Sequence, residues 1–138
     1  MKTALVQLCS GEDPQQNLAE AVRLVTQAAN AGAKFVLTPE VSNCIAPTRA
    51  KQFAVLSAEG DDAFLAKMRQ LAEQKSIWLL VGSLGVHSED NPERLANRSF
   101  LIAPDGRIAA KYDKIHMFDV DISATESYRE SDTYRAGS

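Results

Sequence analysis

A chain of 138 residues, 45% of them hydrophobic, is long enough to bury the core of one domain of ordinary size. Eighteen acidic side chains against fifteen basic ones leave a formal charge of -3, without a run of like charges or a basic stripe, so nucleic acid is not expected as a partner. No apolar run approaches the ~20 residues of a membrane-spanning helix, and Gln7 interrupts the first apolar stretch before it can form a signal-peptide core. The expectation is a single cytoplasmic folding unit with no membrane segment. In that reducing compartment Cys9 and Cys44 are expected as free thiols, and neither has metal-ligand spacing.

The first strand is Thr3 to Cys9, apolar on both parities and closed by Ser10-Gly11, as suits a buried parallel strand. Asp13-Pro14 then supplies an N-cap and a first-turn proline. Leu18, Ala21, Val22, Val25, Ala28 and Ala29 recur at three- and four-residue steps up to Gly32, which predicts an amphipathic helix of about five turns. Ala33 to Leu37 follows as a strand. Residues 3–38 thus form a strand-helix-strand unit, whose natural geometry is a parallel pair with the helix on one face. Glu40 lies at the carboxyl end of its second strand, after Thr38-Pro39.

From Val41 to Ala58 the pattern breaks down, and a loop is expected there as a lid beside Glu40. Gly60-Asp61-Asp62 opens a second helix with Phe64, Leu65, Met68, Leu71 and Ala72 on its apolar face, ending at Lys75-Ser76. Ile77 to Gly82 is a continuous apolar strand. The polar stretch His87 to Arg94 links it to a hairpin formed by Ala96 to Ala103, a turn at Pro104 to Arg107, and Ile108 to Lys111. That hairpin delivers Lys114 just past a strand end, and some of the apolar residues after it, Ile115, Met117 and Phe118, are expected to wall a pocket. Beyond Phe118 there is no periodicity. The order strand, helix, strand, helix, strand, strand, strand implies an α/β layer fold with two helices on one sheet face.

Thr38-Pro39-Glu40 at one strand end, together with Tyr112-Asp113-Lys114-Ile115-His116-Met117-Phe118-Asp119 after another, resembles the nitrilase superfamily of carbon-nitrogen hydrolases. Gln7, the Asn97 hairpin and Arg129-Glu130-Ser131 ahead of Gly137 extend the likeness along the chain. The resemblance implies a four-layer α-β-β-α sandwich of which this chain supplies roughly the first half. Residues 1–138 are then the N-terminal portion of one carbon-nitrogen hydrolase domain, incomplete at the C-terminus. It also implies a glutamate, a lysine and a cysteine acting together on a small amide, with no cofactor or metal, in a protein that forms a homo-oligomer, commonly a dimer. Glu40 matches the general base and Lys114 the catalytic lysine. Glu130 matches a second glutamate that lines the site, with Gly137 as the turn glycine, whereas Glu126 lacks that turn spacing. Within the superfamily the residues look most like the small amidases of the deaminated-glutathione and omega-amidase type, which act on α-keto acid amides.

Cleaving an amide through a thiol needs a nucleophile, a base to ionise it and a positive group for the oxyanion. A pocketed Glu40 is expected to have its pKa raised from about 4.3 toward neutrality by desolvation, the range a base needs. Lys114 fits the cation. The nucleophile has no match at the family position: Cys9 reads as a buried hydrophobe within the first strand, and Cys44, four residues past Glu40 and near enough to approach the pocket, is an alternative that lacks fixed geometry on its loop. The nucleophile is expected beyond Ser138. His116 reads as part of the lysine loop or pocket wall, and Asp119 and Asp121 as loop caps rather than metal ligands.

Two classes of function remain. One is the amino-terminal portion of a cysteine-dependent amidase; the other is a half-fold that has lost its nucleophile and acts as an interaction or regulatory module, pairing through its exposed sheet. A third class, a generic α/β small-molecule binder, is disfavoured because no glycine-rich phosphate loop follows a strand. Either way the strands carry apolar residues on both faces and the helices cover one. Chain 1–138 by itself is therefore expected to be inactive and to self-associate.

Overall fold

The structure, a computed structural model, describes residues 1–123 and 125–138. In chain order its elements are β1 (Thr3–Leu5), α1 (Pro14–Asn30), β2 (Phe35–Leu37), α2 (Arg49–Val55), α3 (Ala63–Lys75), β3 (Trp78–His87), β4 (Leu95–Ile102), β5 (Ile108–Asp113), β6 (Asp119–Asp121), β7 (Ser127–Arg129) and β8 (Tyr134–Arg135), with 3-10 turns at Glu59–Asp61 and Glu130–Asp132. Among the described residues no helix is long and apolar enough to cross a membrane.

Local chemistry sets the helix ends. The Asp13 carboxylate accepts from the N–H groups of Gln15 and Gln16 at the start of α1, and Asp62 does the same for Leu65 in α3. Both helices lie on one face of a mixed sheet. Val25, Ala21, Met68, Leu71 and Phe64 meet Val36, Leu79, Val81, Phe100 and Ile102 there, and all of these are buried.

Strands β1, β2 and β3 run parallel, β4 and β5 follow antiparallel, and β8 pairs parallel with β4 at Leu95 and Ala96. The edge of β4 is thus shared: β5 occupies it from Ile102 to Arg98 and β8 takes over at Ala96. The gap between them is where the chain leaves the sheet at Lys114. Strands β6 and β7 form a separate hairpin beyond it.

Several boundaries differ from the sequence expectation, each for a physical reason. β1 stops at Leu5 rather than Cys9, because its partner β2 ends at Leu37 and turns at Thr38-Pro39 toward β3, where the Thr38 N–H donates to the Leu80 carbonyl at 3.0 Å. Cys9 is consequently exposed, not a buried strand residue. β3 runs on past Gly82 to His87 through a register shift between Val81 and Leu84, so its glycines do not break it. The segment 41–58 is not all loop, and it lies beside Glu40, lining the same cavity with Val41, Cys44, Ile45 and Gln52. It holds α2, and Ser42, Asn43, Cys44 and Ala46 are buried. Asn43 fixes it by imitating a strand partner: Gly85 N–H donates to Asn43 Oδ1 at 2.9 Å and Asn43 Nδ2 donates to the Gly85 carbonyl at 2.8 Å.

Among the described residues, nothing covers the sheet face away from α1 and α3. Register places Leu5, Leu37, Leu80, Leu101 and Ala110 in one row across five strands, and Leu5 is 77% exposed. The chain contributes one helix layer and one sheet layer.

Gly82 lies where β3 passes close under the turn after β2. A Cβ there would meet the Thr38 carbonyl oxygen at 2.2 Å and the Pro39 carbonyl carbon at 2.7 Å, both backbone atoms that cannot rotate away. Gly82→Ala should therefore lower stability by about 1–3 kcal/mol, the usual scale of overpacking, read as a reduced denaturation midpoint. A midpoint equal to that of the unsubstituted protein would show that the strand crossing is looser than described.

Candidate active site

Glu40 is presented by a turn anchored on β3. The Gly82 N–H donates to Thr38 Oγ1 at 3.3 Å, the Ser83 N–H to the Pro39 carbonyl at 3.3 Å, and the Val41 N–H to Ser83 Oγ at 2.8 Å. Val41 has φ 47°, a left-handed conformation that is strained for a β-branched residue and costs about 1–3 kcal/mol. The surrounding hydrogen bonds hold it, and so fix the direction in which Glu40 leaves the turn.

Lys114 is held at the other side of the cleft by its backbone. Its N–H donates to the Asn97 carbonyl at 2.9 Å and its own carbonyl accepts from Gly137 at 2.8 Å. Gly137 is not held at positive φ; a Cβ there would sit 2.3 Å from the Asp113 carbonyl oxygen, so close approach is what requires glycine. The residue before the lysine is pinned as well. Arg98 forks onto Asp113 at 2.6 and 3.0 Å and reaches Glu59 at 2.6 Å, while Arg135 donates to Asp113 at 2.8 Å. Hydrogen bonds from Arg98 hold the Asp113 carboxyl below its ordinary pKa, against the opposing effect of burial.

Glu130 begins the second 3-10 turn and points inward, 7% exposed at its side chain, against 27% for Lys114 and 59% for Glu40. The Lys114 ammonium bridges the two carboxylates. Nζ donates to Glu40 Oε1 at 2.9 Å and to Glu130 Oε1 and Oε2 at 3.1 and 2.9 Å. Asn97 Nδ2 donates to Glu40 Oε1 at 2.9 Å and Glu130 Oε1 at 3.4 Å, and the Phe118 N–H donates to Glu130 Oε2 at 2.6 Å. Both oxygens of Glu130 are thus committed. Glu40 Oε1 carries two donors, and Oε2 carries none among the described residues.

The electrostatics correct one expectation. The hydrogen bond from Lys114 lowers the Glu40 pKa and outweighs the rise that burial causes, with Asn97 adding to the lowering. Glu40 is an ionised carboxylate here, not one pushed toward neutrality. Burial works against the Lys114 charge, but the bonds to Glu130 and Glu40 overcome it and raise its pKa.

The cluster opens into a cavity of about 330 Å³ that is also lined by Val41, Cys44, Ile45, Gln52, Phe118, Tyr128 and Tyr134. The Phe118 and Tyr128 rings pack with their centroids 5.9 Å apart. Phe118 is the member of the apolar run after Lys114 that reaches this cavity.

The family profile for carbon-nitrogen hydrolases matches residues 2–138, which is nearly the whole chain. The chain belongs to the carbon-nitrogen hydrolase family. This carbon-nitrogen hydrolase chain is 39% identical over 136 residues to a deaminated glutathione amidase of Yersinia enterocolitica and 33% identical over 136 residues to an omega-amidase of Homo sapiens, with 97% and 99% of the chain aligned. It spans about half the length of these relatives, 46% and 48%. Among solved structures it superposes over its full length on the C. elegans NitFhit protein with TM-score 0.87 and 27% identity, covering 34% of that chain. It superposes on an amidase from Nesterenkonia sp. with TM-score 0.78 and 27% identity, covering 48%. Its mixed α/β fold is that of the nitrilase superfamily. Solved forms of the Nesterenkonia amidase carry acrylamide, or the acetamide moiety of fluoroacetamide, at an active-site cysteine.

The remaining candidates in the carbon-nitrogen hydrolase chain separate clearly. Asp119 accepts from the Ser131 N–H at 3.0 Å and hydroxyl at 2.6 Å, and Asp121 pairs with Arg129. Among the described residues no group of three or more His, Cys, Asp or Glu side chains is placed to hold a metal ion. His116 is exposed. Gln52, Tyr128 and Tyr134 on the cavity wall were not legible as site residues, since Gln52 rides on an unpredicted helix and the tyrosines lie in an aperiodic stretch.

Cys44 contacts the cavity from a buried position, its Sγ 3.7 Å from the Glu12 carbonyl oxygen, and burial pushes its thiol pKa up, with the Glu12 carboxylate adding to the rise. Iodoacetamide on the folded protein should alkylate Cys9 well before Cys44, read by peptide mass mapping. Equal rates at the two cysteines would contradict this placement of Cys44.

Proposed function

We propose that the whole protein hydrolyses the amide bond of a small carboxylic or α-keto acid amide, with Glu40 as general base, Lys114 as oxyanion-stabilising cation and a cysteine nucleophile located beyond residue 138. The observation that carries this reading is the unequal use of carboxylate oxygens. Glu130 spends both oxygens holding the lysine and the Phe118 N–H, whereas Glu40 keeps Oε2 free at the cavity. A base needs an uncommitted oxygen within reach of the proton it takes. The amidase relatives and the active-site cysteine of the Nesterenkonia protein support the same chemistry.

In this reading the thiol proton passes to Glu40 Oε2 as the sulfur attacks the amide carbon. The resulting oxyanion is met by the Lys114 ammonium. Collapse of the tetrahedral species returns the proton from Glu40 to the leaving nitrogen, giving ammonia and a thioester. Water, deprotonated by the same carboxylate, then cleaves the thioester to the free acid and restores the thiol. Two carboxylates beside one ammonium leave the cluster with a net charge of -1, and accepting the thiol proton on Glu40 removes that excess.

Apart from Lys114, the described residues that line the cavity include no cation. The part of the protein that would carry the cysteine is also the proposed cover for the row from Leu5 to Ala110, completing one domain and the four-layer sandwich.

In the full-length protein, Lys114→Ala should lower kcat for ammonia release by roughly a hundredfold or more, the usual scale for losing one oxyanion partner. Turnover equal to the unsubstituted enzyme would remove Lys114 from the mechanism. Chain 1–138 produced alone should release no ammonia and should sediment as self-associated species through its uncovered sheet face. A cooperatively melting monomer would overturn the second expectation, and measurable amide hydrolysis the first.

A further inference from the structure

Asn97 bonds both carboxylates of the cluster through its side chain and the backbone of Lys114 through its carbonyl. Its side chain is on β4, whose shared edge opens at Lys114, and the residue is 2% exposed. The carbonyl of Asn97 accepts the Lys114 N–H at 2.9 Å, which fixes where the lysine leaves the sheet. The two hydrogens on Nδ2 point toward Glu40 Oε1 at 2.9 Å and Glu130 Oε1 at 3.4 Å. The opposite orientation of the amide would bring Oδ1 against two carboxylate oxygens and is electrostatically excluded. Only a neutral double donor fits there without adding another charge.

We propose that Asn97 is the positioning residue of the site: by tying down Oε1 of Glu40 it dedicates Oε2 to proton transfer. This rests on the reading of Glu40 as the base. Lys114 alone cannot make that assignment, because a flexible ammonium can bond either oxygen of an exposed carboxylate. An amide held on a central strand can reach only one. Asn97 is thus not itself a participant in bond making; it decides which lone pair takes part. The other titratable groups around Glu40 are Lys114 after β5, Glu130 in the 3-10 turn, Cys44 ahead of α2, Tyr128 of β7 and Tyr134 of β8.

The test uses the full-length protein and ammonia release from an α-keto acid amide. Asn97→Ala should lower kcat roughly ten- to a hundredfold, the scale of a hydrogen bond to an ionised carboxylate, with little change in KM. The acid limb of kcat against pH should move up by about one unit, because Glu40 loses a donor that favoured its ionised form. Asn97→Asp, which keeps the side-chain shape and adds a negative charge, should move it further. A folded variant with an unmoved acid limb would overturn the proposal even if kcat fell. In the unsubstituted protein the Asn97 side-chain amide signals should titrate with the midpoint of the acid limb, and their failure to do so would overturn it without any variant. Glu40→Gln separates the two claims: full activity in that variant would end the base reading itself. An inactive Glu40→Gln together with an unmoved limb in Asn97→Ala would end only the role given to Asn97.

Discussion

The Lys114 ammonium is the constraint on which the cleft depends. Two carboxylates aimed into one small space repel each other, and the lysine makes their approach favourable by bonding both. The two contacts are not equivalent. Glu130 is largely removed from water, so its pairing with Lys114 cannot be broken cheaply, whereas the exposed Glu40 contact is screened and weak as a source of stability. The buried carboxylate secures the lysine and the exposed one keeps its chemical freedom. The lowered Glu40 pKa contributes stability above the ordinary carboxylate pKa, lost as pH falls through the folded value. The raised Lys114 pKa contributes stability below the ordinary lysine pKa, lost as pH rises through the folded value. Glu40 and Lys114 are therefore both charged across the neutral range.

That arrangement needs three strand ends brought within hydrogen-bond reach, and the sheet achieves it by interrupting itself. β2 breaks off at Leu37, and its Thr38-Pro39 turn lies on Gly82; β5 breaks off at Asp113, clamped by Arg98 and Arg135; β8 fills the vacated edge of β4 and brings Gly137 under Lys114. Each interruption leaves backbone groups that would be unpaired, and each is paired again by the next segment. Stability and site geometry share the same hydrogen bonds.

Much of this was legible in the sequence, and the rest was hidden for identifiable reasons. Helices α1 and α3 announced themselves through Asp13-Pro14, Asp62 and their apolar spacing, because caps and periodicity are local. The positions of Glu40 and Lys114 at strand ends followed from the strand patterns before them. What failed was nonlocal. β3 looked finished at Gly82 because nothing local shows that a bulge carries it to His87. The burial of Ser42, Asn43, Cys44 and Ala46 depends on Asn43 pairing with Gly85, forty-two residues away. The β6–β7 hairpin and β8 are two or three residues each, too short for any periodic signal. The Glu40 pKa was misjudged because its direction depends on partners from elsewhere, Lys114 and Asn97, and not on its own turn.

The central claim is that Lys114 holds Glu40 ionised with one oxygen free. The direct measurement is the titration of the Glu40 carboxyl carbon by NMR in selectively labelled full-length protein, with and without Lys114→Met. The account predicts a midpoint below the ordinary glutamate range in the unsubstituted protein and a rise on removing the ammonium. An identical midpoint in the two proteins would contradict it.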